Sequence, residues 1–210
     1  MFDPVFIRAG ELWRYLIKSI ESDDAQVATA LKSFTAIQLR RNPQLDSGQR
    51  KLLVHRFAIE GKIENQTPLE LFLTDAHSEH LSQRVDLNSV DRQLVSSWQH
   101  SFVGLIAIVQ VYPNGLEVMN WLTAKHYRIQ FTDLESQTAM TRLKVGDIII
   151  AQLSPIVGID WAIFAPYVAL GKLGKPKLAV AVGAFRQNYP HYLYPDARPQ
   201  AASSRGRASG

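Results

Sequence analysis

The sequence predicts an α+β protein. A helical segment over residues 1–100 packs on a small five-stranded β-barrel, SH3-like or OB-like, over 101–171. A basic, helical C-terminal segment follows over 172–194, and a disordered tail over 195–210. Three observations carry this. Apolar residues recur at helical spacing up to about Trp98. From Ser101 they fall instead into short runs and alternations separated by turn residues. From Pro195 the chain is mostly Pro, Ala, Ser, Gly and Arg, too poor in apolar groups to offset the entropy of ordering.

In the first segment, Leu12, Leu16 and Ile20 recur at four-residue steps with Trp13 and Ile17 beside them, the apolar face of a helix over 4–20. Ser22-Asp23-Asp24 caps a second helix with Val27, Ala30, Leu31, Phe34 and Ile37 on its apolar face and Gln38 off that stripe. Asn42-Pro43 ends it. A third helix runs from near Asp46 through Leu52, Leu53, His55 and Phe57 to about Ile59, with Gly61 as its stop. Thr67-Pro68-Leu69-Glu70 opens a short fourth helix that ends by His77. Asn88 or Ser89 starts a fifth through Val90, Leu94, Val95 and Trp98.

The barrel opens with a β-rich run over 102–112. Leu105, Val109 and Val111 are apolar on one face and Ile106 and Ile108 on the other, so the strand is buried on both. Ile106 and Ile108 read as the second face, covered by the helix bearing Leu12, Leu16 and Ile20 or by the one bearing Leu94 and Trp98. Tyr112-Pro113-Asn114-Gly115-Leu116 predicts a three-residue hairpin loop with Gly115 at positive φ. Leu116 to Leu122 returns. In the strand over 125–131, Tyr127, Ile129 and Phe131 face inward, and His126, Arg128 and Gln130 face outward. Residues 132–142 read as a polar loop. Val145-Gly146-Asp147 turns into the strand Ile148–Leu153, Gly158-Ile159-Asp160 turns again, and Trp161–Leu170 reads as one strand. Leu178–Tyr189 reads as a helix.

Composition narrows the function classes. There is no cysteine, so disulfides, thiolate metal sites and a cysteine nucleophile are excluded. The longest apolar runs fall far short of the ~20 residues of a membrane span. The start Met1-Phe2-Asp3-Pro4 lacks a basic leader. The expectation is a soluble, cytoplasmic protein. The net charge of +4 divides as −1 over residues 1–100 and +5 over 101–210. That asymmetry is modest for a nucleic-acid-binding chain.

Candidate sites are few. Asp75-Ala76-His77-Ser78-Glu79-His80 gathers metal-ligating side chains, with His77, Glu79 and His80 the candidates. The two histidines stand three apart in an expected loop, not at the i, i+4 spacing of a helical metal pair, so no metal is expected. No G-x-S-x-G elbow or Walker A loop is present, and Gly171-Lys172-Leu173-Gly174-Lys175 lacks the phosphate-loop spacing. No catalytic residue and no cofactor are expected. Candidate binding residues are Trp121, Lys125, His126, Arg128, Gln130, Lys172, Lys175 and Lys177. Small barrels stack bases on aromatic rings and track phosphates with Lys and Arg. The plainer reading is a barrel whose lysines discourage edge-to-edge pairing. An exposed minority of the aromatic residues would mark a partner surface.

Val145-Gly146-Asp147-Ile148-Ile149-Ile150-Ala151-Gln152-Leu153, with Trp161 after it, resembles uncharacterised soluble proteins of cyanobacterial type; the resemblance covers the second half and implies no activity. The composition of Ala197–Gly210 is unlike a domain end and leaves open a truncated or frame-altered C-terminus. The leading expectation is a non-catalytic protein-binding or assembly factor that uses the barrel and adjoining helices as its interaction surface. The alternative is a nucleic-acid-binding protein using the basic second half. The third is a metal-dependent enzyme centred on Asp75–His80.

Overall fold

The computed structural model describes residues 2–22, 24–41, 43, 45, 47–74 and 85–192. Among the described residues five helices come first: α1 (Pro4–Ile20), α2 (Ala25–Arg41), α3 (Ser47–Glu60), α4 (Pro68–Thr74) and α5 (Ser89–Ser97). The starts of α1, α2, α4 and α5 are set by side chains that take up otherwise unpaired backbone amides. The Asp3 carboxylate accepts from the Val5 amide at 2.9 Å. Asp24 accepts from Gln26 and Val27 at 2.8 and 2.9 Å. Thr67 with Glu70, and Asn88 with Asp91, form reciprocal capping boxes.

Helix α1 buries Leu12, Leu16 and Ile20, as their spacing predicts. Helix α2 departs from expectation. Its buried residues are Val27 and Gln38, whereas Ile37 is 49% exposed. The Gln38 amide oxygen faces the buried Arg56 guanidinium at 3.5 Å. A polar partner on α3 therefore draws in a polar residue and rotates the stripe. Val90, expected on the apolar face of α5, lies in solvent.

A 3-10 turn, Trp98–His100, leads into the barrel. Its elements are β1 (Phe102–Tyr112), β2 (Gly115–Asn120), β3 (His126–Gln130), α6 (Leu134–Met140), β4 (Ile148–Val157), β5 (Asp160–Ala162) and β6 (Val168–Gly171). Helix α7 (Lys175–Asn188) and a 3-10 turn, Pro190–Tyr192, follow. The sheet order is β1-β2-β3-β5-β4, and β4 pairs back onto β1, closing a five-stranded barrel. The extra strand β6 lies beside the first residues of β4. The β3–β5 pair is parallel. A parallel β3–β5 pair, with a helix between β3 and β4, is OB-type connectivity; an SH3-like barrel is antiparallel throughout.

Three local expectations are corrected. Residues 134–140 are helical, because the Asp133 carboxylate accepts from the Ser136 amide at 2.7 Å while the Ser136 hydroxyl reaches back to the Asp133 amide. The expected strand over 161–170 is two strands. The segment between them holds Pro166, which has no N–H for a ladder. Gly115 is not at positive φ, and it pairs directly with Tyr112 across a two-residue turn. A Cβ there would stand 2.1 Å from the Ile129 carbonyl oxygen, so the glycine serves close strand approach.

The register sorts the two faces of the sheet. Glu117 pairs with Arg128 and Met119 with His126 on the outside, so Leu116, Val118, Tyr127 and Ile129 face inward. Ile108 pairs with Val118, and Ile106 with Ile149, which places both isoleucines inside the barrel. The outer face of β1 is instead Val103, Leu105 and Ala107. The barrel core is continuous with Leu52 of α3 and with Phe185, Tyr189 and Tyr192 of the C-terminal segment. Leu12, Leu16, Ile20, Leu94 and Trp98 belong to a second core, which meets the sheet at Ile156 and Ala162. The expected helical cover over Ile106 and Ile108 is thus replaced by the C-terminal aromatics over the outer face. A bulge at Val109 shifts the register before the hairpin.

Among the described residues no helix is long and apolar enough to cross a membrane. The Asp75–His80 cluster and the tail from Pro195 lie outside the described residues.

Candidate functional site

The outer surface of β2 and β3 forms a groove of about 720 Å³ with the two turns at that end of the barrel. Strand alternation sets its floor. Glu117, His126, Arg128 and Gln130 project outward, whereas Leu116 and Ile129 beneath them fill the core. The hairpin turn brings Tyr112 and Asn114 to one wall, and the β4–β5 turn brings Ile159 to the same groove. Ile159 is 71% exposed and Tyr112 is 40% exposed.

The polar groups of the groove hold one another. His126 Nδ1 lies 2.9 Å from Glu117 Oε1, and the Tyr112 hydroxyl donates to Glu117 Oε2 at 3.3 Å. Arg128 grips Asp160 with two nitrogens, and the Gln130 amide donates to the same carboxylate at 3.2 Å. The hydrogen bonds that Arg128 donates to Asp160 raise the Arg128 pKa above its ordinary value. The cation on the groove floor therefore already faces a carboxylate, which weakens its pull on a phosphate. The apolar side chains at the rim have no such partner.

Of the expected binding residues, the fold brings His126, Arg128 and Gln130 together in the groove. Trp121 and Lys125 occupy the β2–β3 connection, outside its lining. Lys172, Lys175 and Lys177 are exposed at the β6–α7 junction. The register runs His126–Met119–Ala107–Ile148–Gly171 across β3, β2, β1, β4 and β6. Lys172 thus follows a residue four strands from His126, roughly 19 Å around the sheet at ~4.8 Å per strand. The basic residues form two groups rather than one face.

Sequence reading missed Tyr112, Glu117, Ile159 and Asp160. Glu117 was open to inference, because the hairpin places it opposite Arg128. Asp160 and Ile159 arrive through the parallel β3–β5 pairing, which no local pattern signals. Among the described residues no group of three or more His, Asp or Glu is placed to hold a metal. His77, Glu79 and His80 are not among them. Comparison with family models, curated proteins and solved structures finds no match.

Proposed function

We propose that the protein is a non-catalytic protein-binding or assembly factor of the cytoplasm, and that the β2–β3 groove is its docking surface. The observation that carries this is the pairing of exposed Ile159 and Tyr112 at the rim of a groove whose charges are satisfied internally. An apolar rim with an aromatic anchor is what a protein partner desolvates most favourably. A cysteine-free chain suits a reducing compartment.

A second reading rests on one observation. OB-type barrels bind oligonucleotides on the strand 2–3 face and its flanking loops, and the groove lies there, with Tyr112 available to stack on a base. On this reading Lys172, Lys175 and Lys177 would make a second phosphate contact, separate from the groove.

Affinity capture from nuclease-treated lysate, with the full chain against Ile159→Asp, tests the first reading. A partner retained after nuclease and lost in the variant is the expected outcome. Capture that disappears with nuclease, or a gel shift with single-stranded oligonucleotide that Arg128→Ala abolishes, replaces it with the second. In that case affinity would fall steeply between 50 and 200 mM salt, as for any phosphate contact.

A further inference from the structure

We propose that the cavity between the helical layer and the barrel, lined by His55, binds a small, uncharged, planar aminoheterocycle of nucleobase size. The cavity measures about 500 Å³ and shares no lining residue with the β2–β3 groove. It is walled by α1, by His55 of α3, by one side of α6 and by the connection between β5 and β6. That volume lies within the ~300–1,000 Å³ of small-molecule sites, which favour junctions between packed units.

The polar atoms of the wall decide what it accepts. Trp13 Nε1–H donates to His55 Nδ1 at 3.0 Å, so the neutral imidazole carries its proton on Nε2. The two rings stack at 6.0 Å and 13°, which fixes the orientation. Burial pushes the imidazole down to about 4, so it stays neutral at pH 7. His55 Nε2–H has no hydrogen-bond partner among the described residues.

The hydroxyls around it are engaged. Thr132 donates to Ser136 at 3.4 Å, Ser136 to the Asp133 carbonyl at 2.8 Å, and Tyr167 to the Ala139 carbonyl at 2.7 Å. Arg14 is paired with Asp133. Glu135, on the same wall, makes no hydrogen bond or ion pair with another described residue. One donor is therefore unspent in the enclosed wall, and one carboxylate stands at its exposed edge. Neither engaged serine nor engaged tyrosine is poised as a nucleophile, so the site fits binding rather than turnover.

A ligand that completes this wall offers a ring nitrogen or carbonyl to His55 Nε2–H and an exocyclic amine to Glu135. Phe164, stacked on Trp13 at 5.0 Å, supplies a flat apolar surface. The wall carries Arg14 against Asp133 and Glu135, one negative charge in excess, so a phosphorylated ligand is disfavoured.

The test uses the full chain with free adenine and free cytosine as probes and adenosine monophosphate as the anionic control. Binding is read by equilibrium dialysis and by the ¹⁵N resonances of the His55 ring. At least one free base should shift the Nε2 resonance. Losing the donor in His55→Phe should weaken that base by about tenfold or more. Glu135→Gln, a change at an exposed position, should weaken it about threefold. Ile159→Asp should leave it unchanged, which keeps this outcome separate from that of the groove. A thermal melt at pH 7 checks that His55→Phe folds. No resonance shift with either base at millimolar concentration overturns the proposal. So does binding that both cavity variants retain, binding lost only in Ile159→Asp, or a monophosphate that binds as tightly as its base.

Discussion

An imidazole that is neutral when folded and free to protonate when unfolded makes stability depend on pH. His55 is such a group: burial without a carboxylate partner holds it near 4 in the fold, against 6.5 in an open chain. Between those values the unfolded chain binds more protons than the folded one. The contribution of His55 is therefore fully present above pH 6.5 and is lost as pH falls toward 4. A gap of that size amounts to about 3 kcal/mol. The carboxylates act in a lower window. Hydrogen bonds from Arg8 hold Asp91 below its ordinary value. Burial raises Asp133, but the Ser136 amide and Arg14 outweigh it. Their contributions are lost only as pH falls below about 4. Urea midpoints at pH 7, 5.5 and 4.5 should fall steadily for the native chain. For His55→Phe they should stay nearly level over that range; an unchanged slope would place the pH sensitivity elsewhere. In the sequence His55 is one residue among several on the third helix. Its enclosure comes from Trp13, 42 positions away, and no spacing rule reports such a contact.

At the scale of elements, the reading from sequence succeeds where local chemistry decides and fails where a distant partner does. Helix starts at Asp24, Thr67 and Asn88 were legible because a cap needs only its own neighbours. Helix α6 was missed although it too is capped locally, because its short polar run shows no apolar face. The hairpin stands where the sequence predicts it, yet Gly115 serves a different role from the positive-φ corner its turn chemistry predicts. Proline at Pro113 favours a turn with negative φ, and the next residues close the ladder at once. What requires glycine is the neighbouring strand. Gly115→Ala would drive its Cβ against the Ile129 carbonyl, which cannot move without opening the β2–β3 pair. A loss of about 2 kcal/mol or more is expected in chemical denaturation. A variant with a positive-φ preference, Gly115→Asn, should fare no better. Rescue by asparagine would mean that backbone conformation, not strand approach, selects the glycine.

At the scale of the whole molecule, two apolar cores share the sheet. The helical core meets it at Ile156 and Ala162, and the barrel core extends outward through Leu52 to Phe185, Tyr189 and Tyr192. Arg56 joins the parts. It bonds Glu60 on its own helix, faces Gln38 of α2, and lies 5.2 Å from the ring centroid of Tyr189. The Tyr192 hydroxyl donates to the same Glu60. Burial disfavours the guanidinium charge, but the Glu60 hydrogen bonds outweigh it and keep Arg56 ionised. The segment after β6 is therefore the outer cover of β1, with Tyr189 and Tyr192 packed against the Arg56–Glu60 pair of α3. Fully burying an aromatic or large aliphatic side chain contributes about 1.5–3 kcal/mol. Three such aromatics amount to about 5–9 kcal/mol, comparable with the whole margin of a typical domain, ~5–15 kcal/mol. A chain ending at Gly174 should accordingly lose its cooperative melt and bind a hydrophobic dye. A chain ending at Tyr194 should melt with the full protein, because the composition beyond it offers almost nothing to bury. If the shorter chain also melts cooperatively near the native temperature, the aromatics contribute little, and the outer face of β1 tolerates water.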